Sequence, residues 1–87
     1  MDFEMLNAER KEVKVMGKEW GRVYRSTARK DTDRWQLSKW NNGSIFNMTQ
    51  FNSTSAQEFL EKVASSDLGL NQKFAIINAM AELDDRF

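Results

Sequence analysis

Acidic side chains are the first candidates for chemistry, because the sequence contains no His and no Cys. Their absence removes the commonest general base, the commonest transition-metal ligand and every thiolate site. Carboxylate catalysis needs two acids in an environment that separates their pKa values. The candidate pairs, Asp31 with Asp33 and Asp84 with Asp85, lie in polar segments where water would solvate both acids. We therefore expect a protein that is not an enzyme and that uses no metal and no cofactor.

Basic residues are unevenly distributed, although 13 Lys and Arg balance 13 Asp and Glu over the chain. Residues 22–39 carry six basic and two acidic side chains, whereas acids outnumber bases in residues 1–21 and 40–87. Aromatic rings are interleaved with these cations. That combination is typical of surfaces that stack the bases and bind the phosphates of single-stranded nucleic acid. The candidate binding residues are Trp20, Arg22, Tyr24, Arg25, Arg29, Lys30, Arg34 and Trp40.

The segment that contains these residues alternates polar and apolar side chains, which predicts β-strands. The four predicted strands are a short one at Val13 and Val15 and longer ones at residues 20–28, 34–40 and 44–51. Gly17 or Gly21 can turn the chain between the first two strands.

Asn42-Gly43 is the strongest turn signal, because both residue types tolerate the positive φ that a type I′ hairpin requires. A two-residue loop there places the apolar side chains of the last two strands on one face: Trp35, Leu37, Phe46 and Met48.

Alternation along the second strand also groups the candidate residues. Val23 and Arg25 project to one side of the sheet, whereas Trp20, Arg22 and Tyr24 project to the other. If Val23 faces the helices, the open side of the sheet presents Trp20, Arg22, Tyr24, Arg34, Gln36 and Trp40.

The period becomes helical at Ser55. Ser55 and Glu58 fit a capping box, and an apolar stripe follows to about Ser65. We expect Asn71 to cap a second helix that ends near Leu83. The apolar face of this helix is wide and consists of Phe74, Ile76, Ile77, Met80 and Leu83.

These elements predict an α+β fold, in which a four-stranded antiparallel sheet (ββββ) is followed by two C-terminal helices packed on one face. The single domain covers residues 1–87, with the sheet in residues 11–52, the helices in 55–87 and an ambiguous segment in 1–10. No apolar run approaches the roughly 20 residues of a membrane span. No signal peptide is recognisable, and we expect a cytoplasmic protein.

The leading hypothesis for function is a small binding domain whose sheet face engages RNA or single-stranded DNA. The basic candidates would neutralise phosphates, while Trp20, Tyr24 and Trp40 would stack on bases. The order of strands and first helix over residues 23–63 resembles the layout of Pur-type single-strand-binding domains, a resemblance that implies no particular site residues.

Two other hypotheses remain open, because the chain has a pI near 6.2 whereas strong nucleic-acid binders have a pI above about 9. The alternative is a protein-interaction module that inhibits or regulates a partner protein, since phage-encoded inhibitors often have this compact, proline-free format. The remaining hypothesis is a homodimer built through exposed sheet edges or helices. None of the three predicts a membrane partner.

Overall fold

The computed structural model describes residues 9–29 and 32–84, without the side chains of residues 27–29 and 32. In this part of the chain an antiparallel sheet with strand order β1-β2-β3-β4 is followed by two C-terminal helices, which confirms the predicted fold class. The elements are β1 (Glu9–Val15), β2 (Lys18–Arg29), β3 (Thr32–Asn41), β4 (Ser44–Asn47), a 3₁₀ turn (Thr49–Phe51), α1 (Ala56–Ser65) and α2 (Leu70–Leu83).

Two tight turns connect the hairpins of the sheet. Asn42 and Gly43 have φ values of 53° and 81°, as the predicted type I′ turn requires. Met16 and Gly17 adopt the same pattern between β1 and β2, with φ values of 54° and 81°. Of the two glycines proposed for that turn, Gly17 forms it and Gly21 lies within β2.

A β-bulge corrects the predicted alternation of β2. Val13 pairs with Gly21 and Lys14 pairs with Glu19, so Trp20 has no partner in β1. An extra residue in one strand locally re-aims side chains. Trp20 consequently packs against the buried core instead of lying with Arg22.

The helices cover the Val23 side of the sheet. Their buried side chains meet those of the sheet in one cluster, where the rings of Trp35 and Phe59 stack with centroids 5.8 Å apart. Burying each large apolar side chain contributes roughly 1.5–3 kcal/mol. The cluster consists of Val13, Val23, Trp35, Leu37, Phe51, Phe59, Val63, Ile76, Ala79 and Met80.

The last strand is shorter than the predicted 44–51. β4 stops at Asn47, and a 3₁₀ turn then brings Phe51 into the core. Beyond the turn, the backbone of Ser53 exchanges hydrogen bonds of 2.9 and 3.0 Å with that of Trp35. The chain leaves the hairpin at this turn, and Phe51 packs in the core on the helix side of the sheet.

The first helix begins at a side-chain cap. Ser55 Oγ accepts a hydrogen bond from Glu58 N at 3.1 Å, as predicted for α1. The Glu58 carboxylate accepts instead from the Thr54 backbone N–H, at 2.9 Å.

In α2 the predicted cap is wrong. The helix starts one residue before Asn71, with Gly69 as its N-cap. Gly69 N donates to the Gln72 side chain at 3.0 Å, so Gln72 rather than Asn71 provides the side-chain contact at this end of the helix. No helix in the described part of the chain is long and apolar enough to cross a membrane.

Candidate nucleic-acid interface

The open face of the sheet is the face opposite the helices, and strand pairing determines its members. Cross-strand partners share a face, and Val23 belongs to the helix side, so its neighbours Arg22 and Tyr24 belong to the open face. The open face consists of Arg10, Glu12, Lys14, Glu19, Arg22, Tyr24, Ser26, Arg34, Gln36, Ser38, Trp40, Ile45 and Asn47.

A basic cleft of about 670 Å³ follows the edge strand β1, between the open face and α2. Among the described residues, its walls also include two acids, Glu12 and Glu82, and three small or polar residues of α2. Cations outnumber acids two to one among these described lining residues, which favours an anionic ligand. The cations that define the basic cleft are Arg10, Lys11, Lys14 and Arg22.

Two cations of the basic cleft make exposed ion pairs. Lys11 Nζ lies 3.1 Å from a Glu82 carboxylate oxygen, and Lys14 Nζ lies 3.8 Å from one of Glu12. Exposed pairs of this kind contribute about 0–1 kcal/mol. Arg10 forms no ion pair with any residue of the ranges 9–29 and 32–84. A phosphate can therefore recruit these cations at little cost.

Arg22 is held in a cluster on the open face. Its Nε donates to the Glu19 carboxylate at 3.0 Å, and its guanidinium carbon lies 5.2 Å from the ring centroid of Trp40. Trp40 Nε1 donates to the same Glu19 oxygen. The hydrogen bond from Trp40, together with the hydrogen bond and positive charge of Arg22, lowers the pKa of Glu19 and outweighs the desolvation that raises it. The neighbouring Tyr24 and Glu19 raise the pKa of Arg22, so the cluster remains an ion pair at neutral pH.

The middle of the open face is buried. Tyr24 is only 9% exposed, and Ser26, Gln36 and Ser38 are less exposed still. A base cannot stack on a ring that solvent does not reach. Tyr24, predicted as a stacking residue, therefore acts here as a neighbour of Arg22, and the accessible cations lie at the β1 edge.

Two other predicted site residues lie on the helix side. Arg25 is half-buried, donates to the Leu83 carbonyl at 3.2 Å, and pairs with Asp33 at 3.2 Å. It ties β2 to the end of α2. Trp20, which the bulge re-aims, lies with its ring centroid 5.6 Å from Lys39 Nζ. Neither residue reaches the open face.

The remaining candidates divide into three groups. Arg34 lies half-buried on the open face, at a small depression of about 160 Å³ that Gln36 and Thr54 also line. Trp40 is half-buried beside Arg22. The side chains of Arg29 and Lys30 lie outside the described residues. The structure thus brings together Arg22, Tyr24 and Trp40 from the predicted set.

Sequence reasoning missed the three basic-cleft residues of β1. Arg10 and Lys14 belong to a segment whose acids outnumber its bases, so a charge count over residues 1–21 hid them. The alternation of Arg10, Glu12 and Lys14 along one strand was the available signal. Antiparallel pairing of β1 with β2 places that stripe beside Arg22.

Comparisons of the chain with protein-family models, with curated proteins and with solved structures return no match at a significant level. Function is therefore inferred from the charges and geometry of the described residues.

Proposed function

We propose that this protein binds single-stranded nucleic acid, RNA or DNA, along the basic cleft. The observation that carries the proposal is the convergence of Arg10, Lys11, Lys14 and Arg22 on one cleft of a chain whose net charge is zero. Nucleic-acid affinity depends mainly on the cations that replace counterions at phosphates. Three of these four are exposed, and the Arg22 side chain retains about a quarter of its exposure.

The spacing of the cations suits a short stretch of backbone. Arg10 and Lys14 are four residues apart on one strand, which corresponds to about 13 Å. Arg22 projects from the neighbouring strand between them, opposite Glu12. Such a row can contact successive phosphates of one extended strand.

Trp40 favours a single strand over a duplex. Its half-buried ring lies beside Arg22. An unpaired base could stack on the part of this ring that solvent reaches. Reading a duplex requires an element that enters a groove, and a sheet face edged by a cleft does not offer one. The proposal implies an intracellular location, where single-stranded RNA and DNA occur.

A charge-matched pair of double variants tests the proposal. Arg10→Gln with Lys14→Gln removes two cations of the basic cleft, and we expect the affinity for a labelled oligo(dT) or oligo(U) to fall at least tenfold. Lys62→Gln with Lys73→Gln removes two cations of the helices and should leave the affinity within about twofold. Equal losses in both pairs would contradict a site at the cleft, and thermal melting of each variant verifies folding.

The outer side of α2 favours protein interaction as a second candidate function. Leu70 is 67% and Phe74 57% exposed, and Ile77 and Ala81 continue the stripe at helical spacing. Exposed apolar stripes of this kind are typical of helices that contact another protein. A partner of this surface could be a regulated protein or a second copy of the chain.

A pull-down with and without nuclease distinguishes this second candidate. One stoichiometric protein that survives nuclease treatment, and is lost with Phe74→Ser, would support it. A sedimentation mass of two chains that Phe74→Ser reduces to one would indicate a homodimer through α2. Pairing through the β1 edge is disfavoured, because alternating charges on an edge strand oppose strand addition.

A further inference from the structure

Glu19 is an acid on a face that we propose binds phosphate. A carboxylate in that position repels a phosphate, so its presence on this face calls for a role that compensates for the repulsion. The contacts of Glu19 indicate such a role. The carboxylate accepts hydrogen bonds from Arg22 Nε at 3.0 Å and from Trp40 Nε1, and so joins a residue of β2 to a residue of β3.

The β-bulge produces this arrangement. Because Trp20 is the extra residue, Glu19 pairs with Lys14 and projects from the open face three residues before Arg22. Without the bulge, strict alternation would place Glu19 on the opposite face from Arg22. The bulge therefore removes Trp20 from the open face and adds Glu19 to it.

The cluster fixes Arg22 in one orientation. Its Nε donates to the Glu19 carboxylate, and its guanidinium carbon lies 5.2 Å from the ring centroid of Trp40. Arginine presents its donors in a rigid fork, so fixing Nε also fixes the directions of the two terminal nitrogens. Arg22 at the same time lines the basic cleft. An arginine fixed in this way loses less conformational entropy when a phosphate binds.

We infer that Glu19 is a positioning residue, which orients Arg22 against Trp40 so that its terminal nitrogens bind a phosphate in the basic cleft. This inference rests on the proposed function. Two effects of Glu19 oppose each other: its charge weakens phosphate binding, and its hydrogen bonds pre-organise Arg22. The pre-organising effect dominates, because one carboxylate oxygen serves both Arg22 and Trp40 while much of the Glu19 charge is neutralised by the adjacent guanidinium.

Two variants separate the effects by sign. Glu12→Met removes an acid of the same face, which lies opposite Arg22 in the register and pairs only with Lys14 among the described residues. We expect Glu12→Met to tighten the binding of oligo(dT) and oligo(U), since it removes repulsion and releases Lys14. Glu19→Met removes the acceptor oxygen together with the charge and should weaken binding about three- to tenfold, the loss expected when one side chain must be ordered on binding.

The salt dependence provides a second readout. A pre-organising role leaves the contact between Arg22 and the phosphate in place and only raises the cost of forming it, so we expect the slope of log K against log salt in Glu19→Met to equal that of the wild type. A slope shallower by about 0.7 would mean that the contact itself is lost, and would contradict a role limited to orienting Arg22. Tighter or unchanged binding by Glu19→Met would also overturn the positioning role.

Nuclear magnetic resonance of Arg22 Nε–H distinguishes failure of this inference from failure of the proposed function. In the free protein we expect a resolved Nε–H signal that exchanges slowly with water and that is lost in Glu19→Met, which has no acceptor oxygen. Absence of this protection in the wild type would overturn the inference, whatever the protein binds. If the wild type shows the protection but no affinity for either oligonucleotide at low salt, the proposed function is wrong and the phosphate role of Arg22 falls with it.

Discussion

At the scale of one residue, Gly21 allows β2 and β3 to approach each other closely beside the Glu19 and Arg22 cluster. A Cβ built at this position would overlap the Ser38 carbonyl oxygen of β3, so only glycine permits the strands to approach this closely. Gly21 also follows Trp20 directly in the bulge. The close approach and the bulge together determine which side chains reach the open face.

Substitution of Gly21 tests this reading of the sheet. We expect Gly21→Ala to lower the free energy of unfolding by about 1–3 kcal/mol, because the added methyl group meets backbone that cannot rotate away. Urea denaturation measures the change. Gly17→Asn is the matched control, since nothing lies within 4 Å of a Cβ there and Asn tolerates its φ of +81°. Equal destabilisation by both variants would contradict the close approach.

Glu19 gives the protein a pH-dependent contribution to stability. Its hydrogen bonds with Trp40 and Arg22 lower its folded-state pKa below the ordinary 4.5, so below that pH the unfolded chain binds the proton more readily. The contribution is complete above the unfolded pKa and is lost as pH falls through the folded pKa. Denaturation at a series of pH values should show a smaller loss of stability on acidification in Glu19→Gln than in the wild type.

Part of the acid sensitivity should survive in that variant. Hydrogen bonds from the Thr54 backbone and hydroxyl, with Lys62, lower the pKa of Glu58 as well. Stability curves that fall in parallel for the wild type and Glu19→Gln would mean that the Glu19 cluster does not form in solution.

At the scale of elements, the sequence predicted a turn and a cap that each depend only on a few neighbouring residues. Asn42-Gly43 and Ser55 specify a turn and a cap through their own backbone preferences, and both predictions are confirmed. The bulge at Trp20 depends on how β1, β2 and β3 fit together, which periodicity within one strand cannot reveal. The same applies to β4, whose end depends on Phe51 reaching the core.

The two helices differ in how well sequence periodicity describes them. In α1 both buried residues, Phe59 and Val63, belong to the predicted apolar stripe. In α2 apolar residues occur on nearly all sides, so periodicity could not show that Ile76 and Met80 are buried whereas Phe74 is exposed. A helix that is apolar all round is usually covered on all sides, which is the basis of the second candidate function.

A pair of identical substitutions measures this difference. Phe59→Leu should lower the free energy of unfolding by about 0.5–1.5 kcal/mol, the contribution of the lost ring contact with Trp35. Phe74→Leu should change it by less than about 0.5 kcal/mol, since its side chain is mostly exposed. Comparable losses in dilute monomeric protein would show that Phe74 is buried against the domain itself.

At the scale of the whole molecule, a net charge of zero conceals a division between the two sides. The strands β1 and β2 supply four cations to one cleft at the β1 edge, whereas the helices and the loop between them carry acids such as Glu58, Glu61 and Asp67. A polarised neutral protein can bind phosphate at one side while its acidic side weakens non-specific association. The predicted concentration of charge in residues 22–39 includes Arg22, whereas the other three cations of the basic cleft lie in residues 10–14.

The salt dependence of oligonucleotide binding tests the proposed function most directly. Each phosphate neutralised on a single strand contributes a slope of about −0.7 in log K against log salt. Three to four contacts from the basic cleft predict a slope of about −2 to −3 for oligo(dT) or oligo(U), reduced by about 1.4 in Arg10→Gln with Lys14→Gln. A slope near zero, or no measurable binding at low salt by the folded wild-type protein, would contradict nucleic-acid binding by this cleft.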